Sequence, residues 1–232
     1  MKAILLLIVT TFLCSMNVYA QKTLPAFQAS YDLKIKKISA KMTRKLTITE
    51  HNYCYTSTMD IKVLIFSRKI IEQSCGIVNT NKQFTPDKYN SSMGDKSLIT
   101  AAFNYKDAQI SINQVKGRQN KAFVGDVPFK GHVYDNLSYQ LQLAQAILNQ
   151  LPQKAMQYNV LAGHQILLYT VNIAAKDQSF QVAGKNFVVT KVTHSAPKET
   201  RVDYWFDQKT GLMLKFVIYS KGQPVMSALL SE

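Results

Sequence analysis

The feature that most constrains the fold of this chain is alternation. From Ala26 to Lys36 the apolar residues Phe27, Ala29, Tyr31, Leu33 and Ile35 alternate with Gln28, Ser30, Asp32, Lys34 and Lys36. A period of two marks a strand buried on one face. Ala40, Met42, Leu46 and Ile48 repeat the pattern, with Arg44 breaking the apolar face. Ile99, Ala101, Phe103 and Tyr105 repeat it again, followed by Ile110 and Ile112. Later runs cover 165–173, 180–182, 186–194, 201–206, 212–219 and 225–229. Turn signals separate them: Lys106-Asp107, Lys116-Gly117, Lys176-Asp177, Gly184-Lys185, Asp207 to Gly211 and Lys221-Gly222. The chain therefore reads as mainly β: a large antiparallel curved sheet or open barrel of about a dozen strands.

One segment has a different period. Leu137, Leu141, Ala144, Leu148 and Leu151 fall at helical spacing on one face, with Gln140, Gln142, Gln145 and Asn149 mostly off it. Asp135 or Asn136 can cap its start and Pro152 can end it. The expectation is one amphipathic α-helix covering the open side of the curved sheet, with Leu137, Leu141 and Leu148 as lid residues. With no repeat and no linker-like stretch, residues 21–232 read as a single β-rich domain.

The first twenty residues stand apart. Lys2, the apolar run from Ala3 to Leu13 and the small-x-small exit Val18-Tyr19-Ala20 have the layout of a cleavable signal peptide. The run is shorter than the roughly 20 residues that span a bilayer. Leu13 precedes Cys14 where a lipoprotein signal wants a small residue, so lipoprotein anchoring is not expected. Cleavage after Ala20 would remove 20 of the 232 residues and one lysine, leaving 212 with a formal charge of +13 in place of +14. Such an excess favours anionic partners such as a membrane surface or an envelope polymer. Export argues against a nucleic-acid target, and the aromatics fall mainly on the apolar phase of the strands.

Cys54 and Cys75 remain as a pair in an exported chain, where a disulfide is the default. Residues 52–59 and 69–79 both read as strands. If they form a hairpin centred between Leu64 and Ile65, facing positions sum to 129, as 54 and 75 do. Directly opposed residues at a non-hydrogen-bonded site have the separation that a disulfide tolerates. A catalytic pair would want Cys-x-x-Cys or an activated thiolate, and neither is present.

Other chemistry is sparse. His51, His132, His164 and His194 show no metal spacing, and no glycine-rich phosphate loop or Gly-x-Ser-x-Gly occurs. His194 and Ser195 beside Asp203 can be drawn as a triad, or His194 is an ordinary polar residue on a strand face. Asp203 and Asp207 are the nearest approach to a carboxylate pair, and Asp207 is better explained as a turn residue. No catalytic residue, metal ligand or cofactor is assigned, and no enzyme is expected. The segment suited to a surface partner is the tip of the disulfide hairpin, where Val63, Leu64, Ile65 and Phe66 lie between Lys62 and Arg68. An apolar tip with a basic collar suits an anionic membrane or an acyl chain, or else it folds over the core with its basic residues in solvent.

An ordered set of short motifs completes the reading. Leu24-Pro25-Ala26-Phe27 opens a strand that contains Tyr31, and Phe66-Ser67-Arg68 precedes Ile71-Glu72. Tyr134-Asp135 with Leu137-Ser138 heads the helix, and Tyr204-Trp205-Phe206-Asp207 precedes Gly211-Leu212 and a long last strand. From about Leu24 to Tyr219 the chain resembles the bacterial exported family catalogued as domain of unknown function 3108. It departs in its Cys54/Cys75 pair. The resemblance implies a Gram-negative periplasmic or surface location and an antiparallel β fold, and it carries over no catalytic residue. A curved sheet with a helix in its mouth looks like the periplasmic carriers of lipoproteins and amphiphiles. The expectation is a non-catalytic periplasmic carrier of an apolar or amphiphilic ligand such as a lipid, glycolipid or acyl chain. The alternative is an accessory factor that binds an anionic envelope polymer or an assembly partner. Oligomeric state is not legible.

Overall fold

The computed structural model describes residues 21–63, 66–115, 122–150, 155–196 and 200–232. Among them the chain forms fifteen strands and one helix. The N-terminal half holds β1 (Phe27–Ile35), β2 (Ile38–Thr49), β3 (Asn52–Val63), β4 (Phe66–Val78), β5 (Phe84–Met93), β6 (Lys96–Asn104), β7 (Gln109–Gln114) and β8 (Phe123–Pro128). The short β9 (Val133–Tyr134) leads into α1 (Asn136–Leu148). The C-terminal half holds β10 (Met156–Ala162), β11 (Gln165–Val182), β12 (Lys185–Ala196), β13 (Thr200–Asp207), β14 (Met213–Ser220) and β15 (Gln223–Leu230).

All fifteen strands lie in one sheet, ordered β8-β7-β6-β5-β4-β3-β2-β1-β15-β14-β13-β12-β11-β10-β9. Each hairpin pairs sequence neighbours, and the β1–β15 ladder, with Tyr31 opposite Leu230, brings the two ends of the domain together at mid-sheet. The edges are β8 and β9, and the sheet does not close. Only residues 129–132 separate those edges in sequence. A chain that short spans at most about 18 Å, so connectivity alone obliges the sheet to curl until its edges approach. The curl is barrel-like, with an inner face and an outer face.

Alternation sorts the side chains. Tyr31, Leu33, Met42, Leu46, Tyr53, Tyr55, Ala101, Phe103, Ile110 and Ile112 are buried on the inside, while Asp32, Lys34, Lys41 and Lys45 are exposed on the outside. Strand β9 runs parallel to β10, which requires a crossover, and α1 supplies it. Asp135 is the N-cap: its carboxylate accepts from the backbone N–H of Leu137 and Ser138, and Ser138 Oγ accepts from the Asp135 N–H.

The helix plugs the curled sheet and is enclosed by it. It touches β4, β5, β9, β10 and β13, strands from both halves of the sheet. Leu137, Leu141 and Leu148, the residues expected to form a lid, are buried in the core together with Tyr139, Leu143 and Ile147. Two glutamines on the supposedly polar side are also buried. Gln145 accepts from the Leu24 N–H at 2.8 Å and so straps the N-terminal segment to the helix, while Gln140 reaches Arg44. At the far end of α1, Gly211 has a left-handed φ of +72°, and a Cβ there would stand 2.7 Å from Leu24 and 3.0 Å from the Ala144 carbonyl. Only glycine meets both conditions.

Candidate functional site

The inner face is not uniformly apolar. Registers place Arg44 of β2 opposite Ser57 of β3, Ser57 opposite Glu72 of β4, and Glu72 opposite Ser91 of β5. This polar row crosses four neighbouring strands. Its serines are short, so they leave space where Leu46, Tyr55 and Tyr89 fill the row on one side and Met42, Met59, Ile70 and Met93 the row on the other. With strands about 4.8 Å apart, Arg44 and Glu72 sit roughly 10 Å from each other, with only Ser57 between them.

Two cavities occupy that space. The first has a volume of about 300 Å³; Arg44, Ser57, Glu72 and Gln140 contribute its polar lining and Met42, Val202 and Phe216 part of its apolar wall. The second, about 310 Å³, lies against β5, β6 and the β7 end, with Tyr89, Ile99, Gln114 and Leu161 in its wall. Glu72, Asn136 and Tyr169 line both, so the cavities adjoin. The second reaches the gap between the sheet edges, where Gln114 and Val115 face Leu161, Ala162 and Gly163. Phe123 of β8 stacks there on His164 of the β10–β11 turn, with ring centroids 4.9 Å apart.

Arg44 is only 5% exposed. Its hydrogen bonds all run from Nη1, which donates to Gln140 Oε1 at 2.8 Å, Tyr55 Oη at 3.4 Å and Met213 Sδ at 3.4 Å. Nε is buried with no partner, and the ion pairs among the described residues do not include Arg44. The guanidinium lies over the rings of Phe216, at 5.3 Å, and Tyr31, at 5.8 Å. Burial works against its charge, but the oxygens of Tyr55, Tyr31, Tyr204 and Glu72 outweigh it and hold the group protonated. Burial also pushes Tyr31, Tyr55 and Tyr204 above the ordinary phenol value, so these are neutral at neutral pH. Glu72 is therefore the one carboxylate among the groups that hold Arg44 charged. Burial pushes the Glu72 carboxyl up, against the lowering effect of the Tyr89 hydroxyl, which donates to it at 3.1 Å, and of Arg44.

His194 lines the first cavity with Nδ1 3.1 Å from Tyr139 Oη and its ring stacked on Tyr169. Burial pulls it down to about 4, with Asp203 acting weakly the other way, so it is a neutral imidazole. The drawn triad does not assemble. Ser195 is exposed on the opposite face of β12, and Asp203 is held on that face by Lys191, Arg201 and Thr193. Asp207 accepts from the backbone N–H and hydroxyl of Thr210, as a turn residue does. His132 packs against Tyr105 and Tyr134, and no group of three His, Cys, Asp or Glu among the described residues could hold a metal ion.

The Cys54–Cys75 disulfide is present. Every pair in the β3–β4 ladder sums to 129, and the two Cα atoms are 4.2 Å apart. It lies on the outer face, because Tyr53, Tyr55 and Ser74 point inward. At the hairpin tip Lys62 and Arg68 are exposed. The β2 ladder ends at Ala40–Ile61 and the β5 ladder at Met93–Ile70, so the tip extends beyond its neighbours. Leu64 and Ile65, the side chains of Val63 and Phe66, and the first twenty residues lie outside the described residues.

Arg44 and Glu72 were not singled out as site residues by sequence reasoning. The signal was available: Arg44 interrupts an apolar phase, and the register that pairs Cys54 with Cys75 also pairs Ser57 with Glu72.

A family model described as a protein of unknown function, DUF3108, matches residues 27–227. A crystal structure of a beta-barrel-like protein of domain of unknown function DUF1849 from Brucella abortus matches 91% of this chain and 97% of its own, with a TM-score of 0.55 at 12% identity. At that identity the likeness speaks to the fold alone. No curated protein matches the sequence.

Proposed function

The chain belongs to DUF3108, a family of unknown function, and from that premise we propose that it is a non-catalytic periplasmic carrier that holds an apolar or amphiphilic molecule inside its curled sheet. The observation that carries the reading is the pair of adjoining cavities that share Glu72, Asn136 and Tyr169. Small-molecule sites are concave, mainly apolar and equipped with a few placed polar groups, at volumes of about 300–1,000 Å³. Each cavity falls at the lower end of that range. The apolar wall and the polar row match this pattern, and the signal-like N-terminus supports export.

The test is mass spectrometry of the protein purified without detergent from the cell that makes it, under native conditions and again after solvent extraction. A stoichiometric lipid, glycolipid or fatty acid supports the reading and names the ligand class. A bare protein that also takes up no amphiphile from a panel in vitro overturns it.

The alternative is an accessory factor acting through its basic surface. One outer-face feature favours it: Trp205 is held between Lys191 and Lys215, at 4.9 and 4.8 Å, and Arg201 lies 4.1 Å over Tyr219. Such a cation–aromatic face suits an anionic polymer or lipid surface. Its binding would fall steeply with added salt, whereas capture in the apolar cavity would survive.

A further inference from the structure

We propose that the interior cavity selects a single-tailed amphiphile with a monoanionic head, a long-chain carboxylate, and that Arg44 is the residue that holds the head. The inference rests on the carrier reading above and adds the class of ligand.

A buried guanidinium needs a reason. Taking a cation out of water is unfavourable unless an anion or a full set of acceptors compensates. Among the described residues Arg44 has neither in contact: Nη1 makes all of its hydrogen bonds, Nε makes none, and no carboxylate is bridged to it. The Nε–Nη2 edge left without a protein partner is one that a carboxylate takes with two parallel hydrogen bonds. Gln140 on the helix and the rings of Phe216 and Tyr31 hold the guanidinium plane in place. The edge is thus oriented before any ligand arrives.

The rest of the cavity fits the remainder of such a molecule. Met42, Met59, Val202, Phe216, Ile218 and Met226 give it an apolar wall. Three of these are methionines, whose unbranched side chains adapt to a flexible alkyl chain. Charge sets the limit on the head. Glu72 lies two strands from Arg44 in the same cavity, with Ser57 between. One negative charge at Arg44 is balanced, but a second would be buried with no cation to pair with among the described residues of the cavity. A phosphomonoester dianion is disfavoured on that ground, and a neutral or cationic head would leave the guanidinium unpaired.

The experiment compares laurate, lauryl alcohol and lauryltrimethylammonium, which share one tail, by calorimetry on the delipidated full chain. Wild type should bind laurate at least about tenfold more tightly than the other two, the usual scale for a buried charge-assisted contact. Arg44→Met should bring laurate down to the level of the alcohol. Its melting temperature is read on the same preparation, and a modest fall is expected in the empty protein because Gln140 loses its buried donor. Arg44→Lys keeps the charge and loses the fork, and should give an intermediate preference; it decides the matter if the methionine variant does not fold. Equal binding of laurate and alcohol by wild type, or a preference retained in both variants, overturns the assignment of Arg44 and leaves the carrier reading standing. Binding of none of the three overturns the single-tailed carboxylate assignment, and the carrier reading falls with it only if the natively purified protein is also bare.

Discussion

Asp135 shows how a single residue links the helix to the sheet. It caps α1, and its second oxygen accepts from Ser74 Oγ on β4 at 2.6 Å. Complete burial raises its carboxyl from an ordinary 3.8 to about 6, more than the hydrogen bonds from Ser74, Ser138 and Leu137 lower it. An acid whose folded value is raised binds protons more readily in the folded state. Its ionisation therefore costs stability in full above about pH 6, and the cost is relieved as pH falls towards 4. Asp135→Asn keeps a capping acceptor and removes the charge, so wild type should gain stability relative to this variant between pH 7 and pH 4, as urea titrations would show. Asp135→Ala should cost about 2–4 kcal/mol, the sum of a lost cap and a buried partner left unsatisfied. A flat difference between wild type and Asp135→Asn across that range would mean that the folded carboxyl is not raised. Sequence reasoning named Asp135 as a possible cap because cap chemistry is local. Its tie to Ser74 joins residues 61 positions apart and was invisible. Arg44 shows the opposite case: it was visible as an irregularity, but only the registers of three strands give that irregularity a meaning.

At the scale of elements, the β3–β4 hairpin was legible because one number, the sum of facing positions, fixes its whole ladder. Its disulfide sits on the outer face, away from the cavity. Replacing both Cys54 and Cys75 with Ser should therefore lower stability by about 3 kcal/mol, or about 6–12 °C in Tm for a domain of this size, and leave laurate affinity unchanged. Thermal melts and calorimetry on the same preparation check both halves; a loss of affinity in the folded double variant would tie the hairpin to the site. The helix was legible in position, in its cap and in its place within the curved sheet, but the role of its glutamines was not. Glutamines at helical spacing look like a solvated face. Enclosed in the sheet, Gln140 and Gln145 instead supply the polar contacts that hold Arg44 and the N-terminal segment. Binary pattern distinguishes polar from apolar, and it does not distinguish water from a buried partner.

The curvature of the whole molecule followed from many short strands at hairpin spacing, but the way its ends meet did not. The two-residue β9 has no alternation to detect, and the β1–β15 ladder joins the chain ends, a pairing without a local signal. These two features leave one open seam, between β8 on one side and β9 and β10 on the other. Side chains rather than a ladder span it: Phe123 stacks on His164, and a Cβ on Gly163 would lie 3.4 Å from Gln114. Gln114 Oε1 is itself buried without a partner. A ladder of backbone hydrogen bonds opens only with the sheet, whereas a side-chain stack can separate while the ladders on either side stay paired. The second cavity touches this seam, so a ligand entering there would pass between β8 and β10. Replacing Phe123 and His164 together with alanine should loosen β8, seen as faster amide hydrogen exchange in β8 and unchanged protection of β1 and β15. Laurate should then bind and leave several-fold faster in stopped-flow traces, while its equilibrium affinity shifts little because Arg44 and the apolar wall are untouched. Faster exchange in β8 with unchanged ligand rates would place the entrance elsewhere on the molecule.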